Sequence, residues 1–230
     1  LPGCKWIAGK VLGQWPMYNK AHKLEVFLRS DPTPEMGYLT VRRLFSDEES
    51  KVLFPHLFGE KESLFEPVAY LREITGGRVS SVKNQISLME LRAYMHNQLL
   101  RDTDVMSMAH SLEVRTPFLD HPLVEFLMRI PEAMKFGSVP KSLLLNSLGA
   151  KLPEVVTNRR KMGFTFPFAS WLSGEWKTKV KDVINMKCSD GINQKTLTNL
   201  WNGYLRGQVH WSKIWALVVF RLWMNRYSLY

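Results

Sequence analysis

The chain has 230 residues, 45% hydrophobic and 23% charged. That is an ordinary globular make-up, with room for one large core or two small ones. No apolar run reaches the roughly 18 residues a membrane-spanning helix needs. Two cysteines, Cys4 and Cys188, make neither a disulfide framework nor a metal cage, so a reducing cytoplasm is the expected setting.

The net charge of +10 attracts polyanions. Zinc-finger spacing, an RNP-like aromatic motif and long Lys/Arg tracts are absent, so a solubilising surface is the reading preferred over a nucleic-acid interface. The chain opens on Leu1 rather than Met and shows no signal-peptide pattern. This points to a processed product or a piece of something longer.

In chain order, residues 1 to about 32 are irregular, with Gly3, Gly9, Gly13 and Pro16, and a short helical pattern follows around "KLEVFL". "DPTPE" is a break. Helical periodicity resumes in "MGYLTVRRLF", with Tyr38, Leu39 and Leu44 expected to face inward. Ser46 and Glu49 have capping-box spacing and predict a helix start. "TGGRVSS", Thr75 to Ser81, is the clearest flexible stretch and the expected boundary between portions 1–80 and 81–230.

The strong patterns lie beyond it. Leu88, Leu91, Met95 and Leu99 have helical spacing, and so do Leu123, Phe126, Leu127 and Ile130, a run that Asp120 can cap and Pro131 ends. "PKSLLLNSLG" predicts a helix opened by Pro140 and closed by Gly149. Two more helices are expected around "KTLTNLWNGYL" and "SKIWALVVFRLW"; the second is apolar nearly all round and reads as buried, its tryptophans as core. Period-2 strands are scarce, so the chain is expected to be mostly α.

Several polar residues invite a chemical reading. Pro117 disfavours helix at Thr116, so "EVRTPF" should be extended, with Glu113 and Arg115 on one face and Val114, Thr116 and Phe118 on the other. That pair is either part of a cavity wall or a structural ion pair tying two helices. Asp102 and Asp104 read first as caps for a helix beginning near Val105, and Met106 and Met108 as core filling. Lys141 falls in the first turn of its helix, where an anion would offset its charge, although a solvated lysine tolerates the same place. Arg159, Arg160 and Lys161 form either a pyrophosphate-binding loop or a basic surface turn. The six histidines have neither HxxxH nor HExxH spacing, so no protein metal site is expected.

Taken together, "LLRDTDVMSMAHSLEVRTPFLDHPLVEFLMRIP" and "PKSLLLNSLGAKLPEVVTNRRKMGFTFPFASWL" resemble the C-terminal part of the glutamine-dependent asparagine synthetase family, continuously from about Leu88 to Leu172. The resemblance implies that this chain is the C-terminal helical part of an α/β, adenine nucleotide α-hydrolase-like synthetase domain. It also implies an activity. Aspartate's side-chain carboxylate is adenylated by ATP with Mg2+, and ammonia released from glutamine in an N-terminal glutaminase domain then amidates it.

Position by position, Lys141 matches the family's synthetase-site lysine, expected to stabilise the developing oxyanion and the α-phosphate. Glu113, Arg115 and Asp120 match the charged motif, Arg159 and Lys161 the basic loop, and Asp104 the aspartate before the Ser-Met pair. Glu90 aligns loosely with an acid of related synthetases. Asp102 and Val105 stand where many relatives carry basic residues.

Two family motifs are missing from residues 1–230: the Ser-Gly-Gly-x-Asp-Ser ATP loop and the acidic GxGxDE segment. An N-terminal nucleophilic cysteine is missing too. The expectation is that the chain does not turn over alone and works with an ATP-loop portion on the same protein or a separate subunit. The alternative is a catalytically silent helical module that docks on such a subunit. A homodimer is left open, as is the acyl substrate, and no nucleic-acid or membrane partner is expected.

Overall fold

The computed structural model describes residues 27, 28, 30–57, 66–76, 81–137, 139, 141–149, 152–159, 163, 166–187 and 191–227. Among them every regular element is helical. In chain order these are α1 (Pro34–Arg42), α2 (Asp47–Leu53), α3 (Pro67–Thr75), α4 (Val82–Met89), a π-helical segment π1 (Glu90–Leu100), α5 (Arg101–Met108), α6 (His121–Arg129), α7 (Glu132–Lys135), α8 (Ser142–Leu148), α9 (Glu154–Thr157), α10 (Phe168–Ser173), α11 (Lys177–Asn185), α12 (Gln194–Leu205) and α13 (Trp211–Tyr227). One 3-10 turn covers Pro117–Leu119. The chain forms two compact units, Leu1–Pro67 with Thr165–Tyr230, and Val68–Phe164.

The first unit holds a closed apolar core. Leu53 of α2 packs with Leu172, Ile184, Leu197, Leu200 and Ile214 from α10 to α13, all essentially inaccessible. Each such side chain contributes about 1.5–3 kcal/mol of transfer free energy. Tyr38 and Leu39 are buried as expected, while Leu44 is exposed. The Ser46 capping box forms in full: Glu49 Oε2 accepts from the Ser46 N–H at 2.7 Å, and Ser46 Oγ accepts from the Glu49 N–H at 3.2 Å. Gly203 is required in α12, because a Cβ there would lie 2.9 Å from Val209 Cγ2.

The last helix departs from expectation. It is not buried all round. Ile214, Leu217 and Val218 are buried on one face, while Leu222 and Trp223 stay exposed on another. Two basic residues of this helix, Lys213 and Arg221, are themselves buried, and each has partners from other helices.

The second unit is thinner. Leu71 and Met89 are its buried apolar residues among those described. Its spine runs through α4, π1 and α5 without leaving right-handed helical dihedrals at either junction. Asp102 and Asp104 therefore lie inside a helix and cap nothing, since no helix begins there. Asn97 donates from Nδ2 to the Tyr70 hydroxyl at 3.0 Å, and Arg92 from Nη1 to the Ile74 carbonyl at 2.7 Å, tying the spine to α3. Lys83 pairs with Glu132 of α7 at 3.4 Å. The Ser81 side chain holds the Glu132 carboxyl below its ordinary value; partial burial opposes this, and Lys83 reinforces it.

Candidate functional site

The predicted site residues that can be placed all lie in the Val68–Phe164 unit, and the structure distributes them along it. Glu90 is the first residue of π1 and is part-buried. Asp104 is exposed on α5, where its backbone carbonyl accepts from Ser107 Oγ at 3.1 Å. The helix stops at Met108 in a tight reversal, with Ser111 at a φ of 57° and its N–H bonded to the Met108 carbonyl. Beyond it, residues 112–116 form no helix, as Pro117 predicts.

On that strand-like stretch Glu113 and Arg115 share a face and bond at 2.5 Å. The pair does not tie two helices together. Both side chains are mostly solvent-exposed, and they lie two residues apart. Such a pair is worth little to stability, so its charges are available to a ligand or a partner. Val114 and Phe118 are exposed too, at 51% and 68%. So are Met106 and Met108, which therefore do not fill a core.

Asp120 occupies the N-cap position of α6, but its side chain makes no capping bond; its carbonyl accepts from Val124 N–H at 2.9 Å. Lys141 precedes α8 rather than standing in its first turn. It is exposed and in the left-handed region, φ 62° and ψ 22°, and its carbonyl accepts the first helical bond from Leu145. A non-glycine residue there carries about 1–2 kcal/mol of backbone strain, and such outliers concentrate at functional positions. Gly137 approaches Ser142 closely: a Cβ there would come within 2.6 Å of Ser142 Oγ. Gly149 ends α8 with a φ of 56°, the stop signal expected of it.

Arg159 is exposed just beyond α9. Lys161 lies outside the described residues. Among the predicted site residues, Glu113 and Arg115 are the pair joined by an ion pair. The described residues gather no group of three or more His, Cys, Asp or Glu side chains able to hold a metal ion. No described helix is long and apolar enough to cross a membrane.

Comparison with known proteins defines the class. The sequence matches the asparagine synthase family over residues 13–225. The chain belongs to that family. It is 27% identical over 195 residues to asparagine synthetase [glutamine-hydrolyzing] 1 of Bacillus subtilis, an alignment covering 81% of this chain and 29% of that protein. It is 39% identical over 84 residues to asparagine synthetase [glutamine-hydrolyzing] 3 of the same organism, covering 36% of this chain and 14% of the relative. The Gallus gallus asparagine synthetase [glutamine-hydrolyzing] is 26% identical over 163 residues, 69% of this chain and 28% of that protein. The chain thus spans less than a third of the length of these relatives. No solved structure matches it.

Residues that sequence reasoning passed over include Arg92, His121, Glu125 and Arg129. His121 and Glu125 are an i,i+4 pair 3.6 Å apart, a spacing that could have singled them out.

Proposed function

We propose that this chain supplies the helical wall of the acyl-activation site of an ATP-dependent, glutamine-hydrolysing asparagine synthetase. The observation that carries this reading is the exposed run from Met108 to Phe118, followed in the same unit by Lys141 in a left-handed conformation. In a self-contained helical domain such a run would be covered or polar. Here it presents a charged pair and apolar side chains together, as one side of a larger site would.

In the reaction proposed, an oxygen of the aspartate side-chain carboxylate attacks the α-phosphorus of ATP, and the bond to the β-phosphate oxygen breaks to release pyrophosphate. Ammonia then attacks the acyl carbon, AMP leaves, and one proton is lost as the amide forms. Lys141 supplies fixed positive charge to the oxyanion that develops in each step. Arg159 and Lys161 hold departing phosphate oxygens through charge-assisted bonds. Glu113 and Arg115 orient substrate, while Asp104, Asp120 and Glu90 position the surrounding backbone. The chain's own part is charge and positioning; its described residues gather no carboxylate cage for Mg2+, which ordinarily keeps its waters and binds through the nucleotide phosphates. The glutaminase portion and the ATP loop come from elsewhere in the same protein or from a separate subunit, and the setting is cytoplasmic.

A second reading, a catalytically silent module that docks on a separate ATP-binding subunit, is favoured by the exposed apolar side chains of the same run. The intact mass of the native polypeptide separates the two. A mass well above 26.7 kDa supports one continuous synthetase, and a mass near it supports docking. In the assembled enzyme, Lys141→Ala should abolish aspartate-dependent pyrophosphate release while leaving the helical circular dichroism unchanged. Turnover at the wild-type rate in that variant overturns the role given to the lysine.

A further inference from the structure

We infer that the groove between π1 and α6 is a binding site for an amphiphilic carboxylate, the anion of a medium-length acyl chain. The groove lies wholly within the Val68–Phe164 unit, encloses about 700 Å³ and is separate from the residues assigned above. That volume falls in the usual range for small-molecule sites, roughly 300–1,000 Å³.

Its lining is largely apolar and includes Leu88, Leu91, Met95, Leu119, Val124 and Met128. The winding of π1 builds one wall. With i→i+5 bonding and about 4.4 residues per turn, Leu91, Met95, His96 and Leu100 fall within an arc of about 80°. At 3.6 residues per turn the same side chains would spread over about 180° and could not share a wall. Leu100 consequently lines the groove, and Leu99, the residue α-helical spacing points inward, is 41% exposed.

The lining also carries charge. Arg92 and Arg129 stand at the groove against one carboxylate, Glu125, which already faces His121 at 3.6 Å. Arg92 is held in place by its bond to the Ile74 carbonyl at 2.7 Å, so its guanidinium needs little ordering to meet an anion. A flat guanidinium fork matches a carboxylate. The two methionines offer flexible, polarizable surface suited to an alkyl chain.

The test uses the whole 230-residue chain, labelled with 13C at its methionine methyls and titrated with decanoate below its micellar concentration. Saturable shifts are expected at Met95 and Met128 but not at Met36, Met186 or Met224, which lie in the other unit. Octanoate should bind about fifteenfold more weakly, the loss of two buried methylenes. Arg129→Gln, at an exposed position, should weaken decanoate about tenfold or more without changing the thermal midpoint. The proposal is overturned if decylammonium binds as tightly as decanoate or if Arg129→Gln binds like wild type. It is equally overturned if Met95 and Met128 stay unmoved at millimolar decanoate, or if all the methyls shift together.

Discussion

Lys213, in the first turn of α13, donates from Nζ to Oε1 of Glu49 in α2, and both side chains are almost completely buried. The other carboxylate oxygen, Oε2, accepts from the Ser46 N–H that opens α2. Glu49 thus caps its own helix and anchors the last helix of the chain at once. The Lys213 ammonium also stands 5.2 Å from the centre of the Phe45 ring, so it is neutralised on two sides. A local signal, the Ser46–Glu49 spacing, is joined here to a contact between residues 164 apart in sequence.

Removing one member of this pair should cost far more than removing both. Lys213→Met leaves a buried carboxylate and Glu49→Leu leaves a buried ammonium, and each is expected to destabilise by about 3–5 kcal/mol. The Glu49→Leu/Lys213→Met double variant should recover most of that loss, less about 1 kcal/mol for the lost cap. Urea unfolding of the four proteins checks this. Additive losses would mean that the two side chains do not act as a pair.

The pair also sets a dependence on pH. Burial lowers the Lys213 pKa below its ordinary value, and the bond to Glu49 only partly restores it. The folded protein therefore holds this proton less tightly than the unfolded chain does. Between the lowered value and the ordinary lysine value of 10.5 the unfolded state binds more protons, so this group's contribution to stability rises with pH. The unfolding free energy of wild type minus that of Lys213→Met should accordingly grow as the pH rises toward the ordinary lysine value. A difference that shrinks over that range would contradict the assigned direction.

At the other end of the same helix face, Arg221 serves the C-terminus of α11. Its Nη1 and Nη2 donate to the Ile184 and Met186 carbonyls, each at 2.5 Å, and it favours the negative end of that helix. Gln194 also donates to the Ile184 carbonyl, at 2.7 Å, so Arg221→Met should strand mainly Met186 and cost about 1–3 kcal/mol. Arg221→Lys should recover only part of this, because a single ammonium lacks the fork that spans two carbonyls. Thermal melts of the two variants decide it. Equal midpoints would assign the whole effect to charge and none to the fork.

These cases separate what was legible in the sequence from what was not. Features fixed by neighbours along the chain could be read directly: the capping box at Ser46, the stop at Gly149, the non-helical backbone before Pro117 and the pairing of Glu113 with Arg115. Features set by other helices could not. The periodicity of α13 identifies a helix, but not that Lys213 and Arg221 turn inward while Leu222 and Trp223 turn out. That inversion depends on Glu49 and on the α11 carbonyls. The Asp102–Met108 segment was misread because a polar residue before an apolar run has the same pattern at a helix start and on an exposed helix. The π winding of Glu90–Leu100 escaped because periodicity was sought at 3.6 residues per turn. At the candidate site, residue types pointed to the chemistry, but the exposure of Glu113, Arg115 and Lys141 depends on what surrounds them.

The backbone at Lys141 allows stability and the proposed activity to be separated. Its φ of 62° suits glycine, so Lys141→Gly should relieve strain, offset in part by glycine's greater freedom in the unfolded chain. A net gain of up to about 1 kcal/mol is expected. Lys141→Ala keeps the strain and should match wild type in stability, because the lysine side chain is exposed. Both variants remove the ammonium, and both should lose aspartate-dependent pyrophosphate release in the assembled enzyme. Gly149→Ala is the converse control: at a φ of 56° it should destabilise by about 1–3 kcal/mol without removing any charged group. Denaturant midpoints and pyrophosphate assays on the three variants then give opposite orderings. A Lys141→Gly protein that is more stable and still active would mean that the left-handed turn serves the fold of α8 and not the reaction.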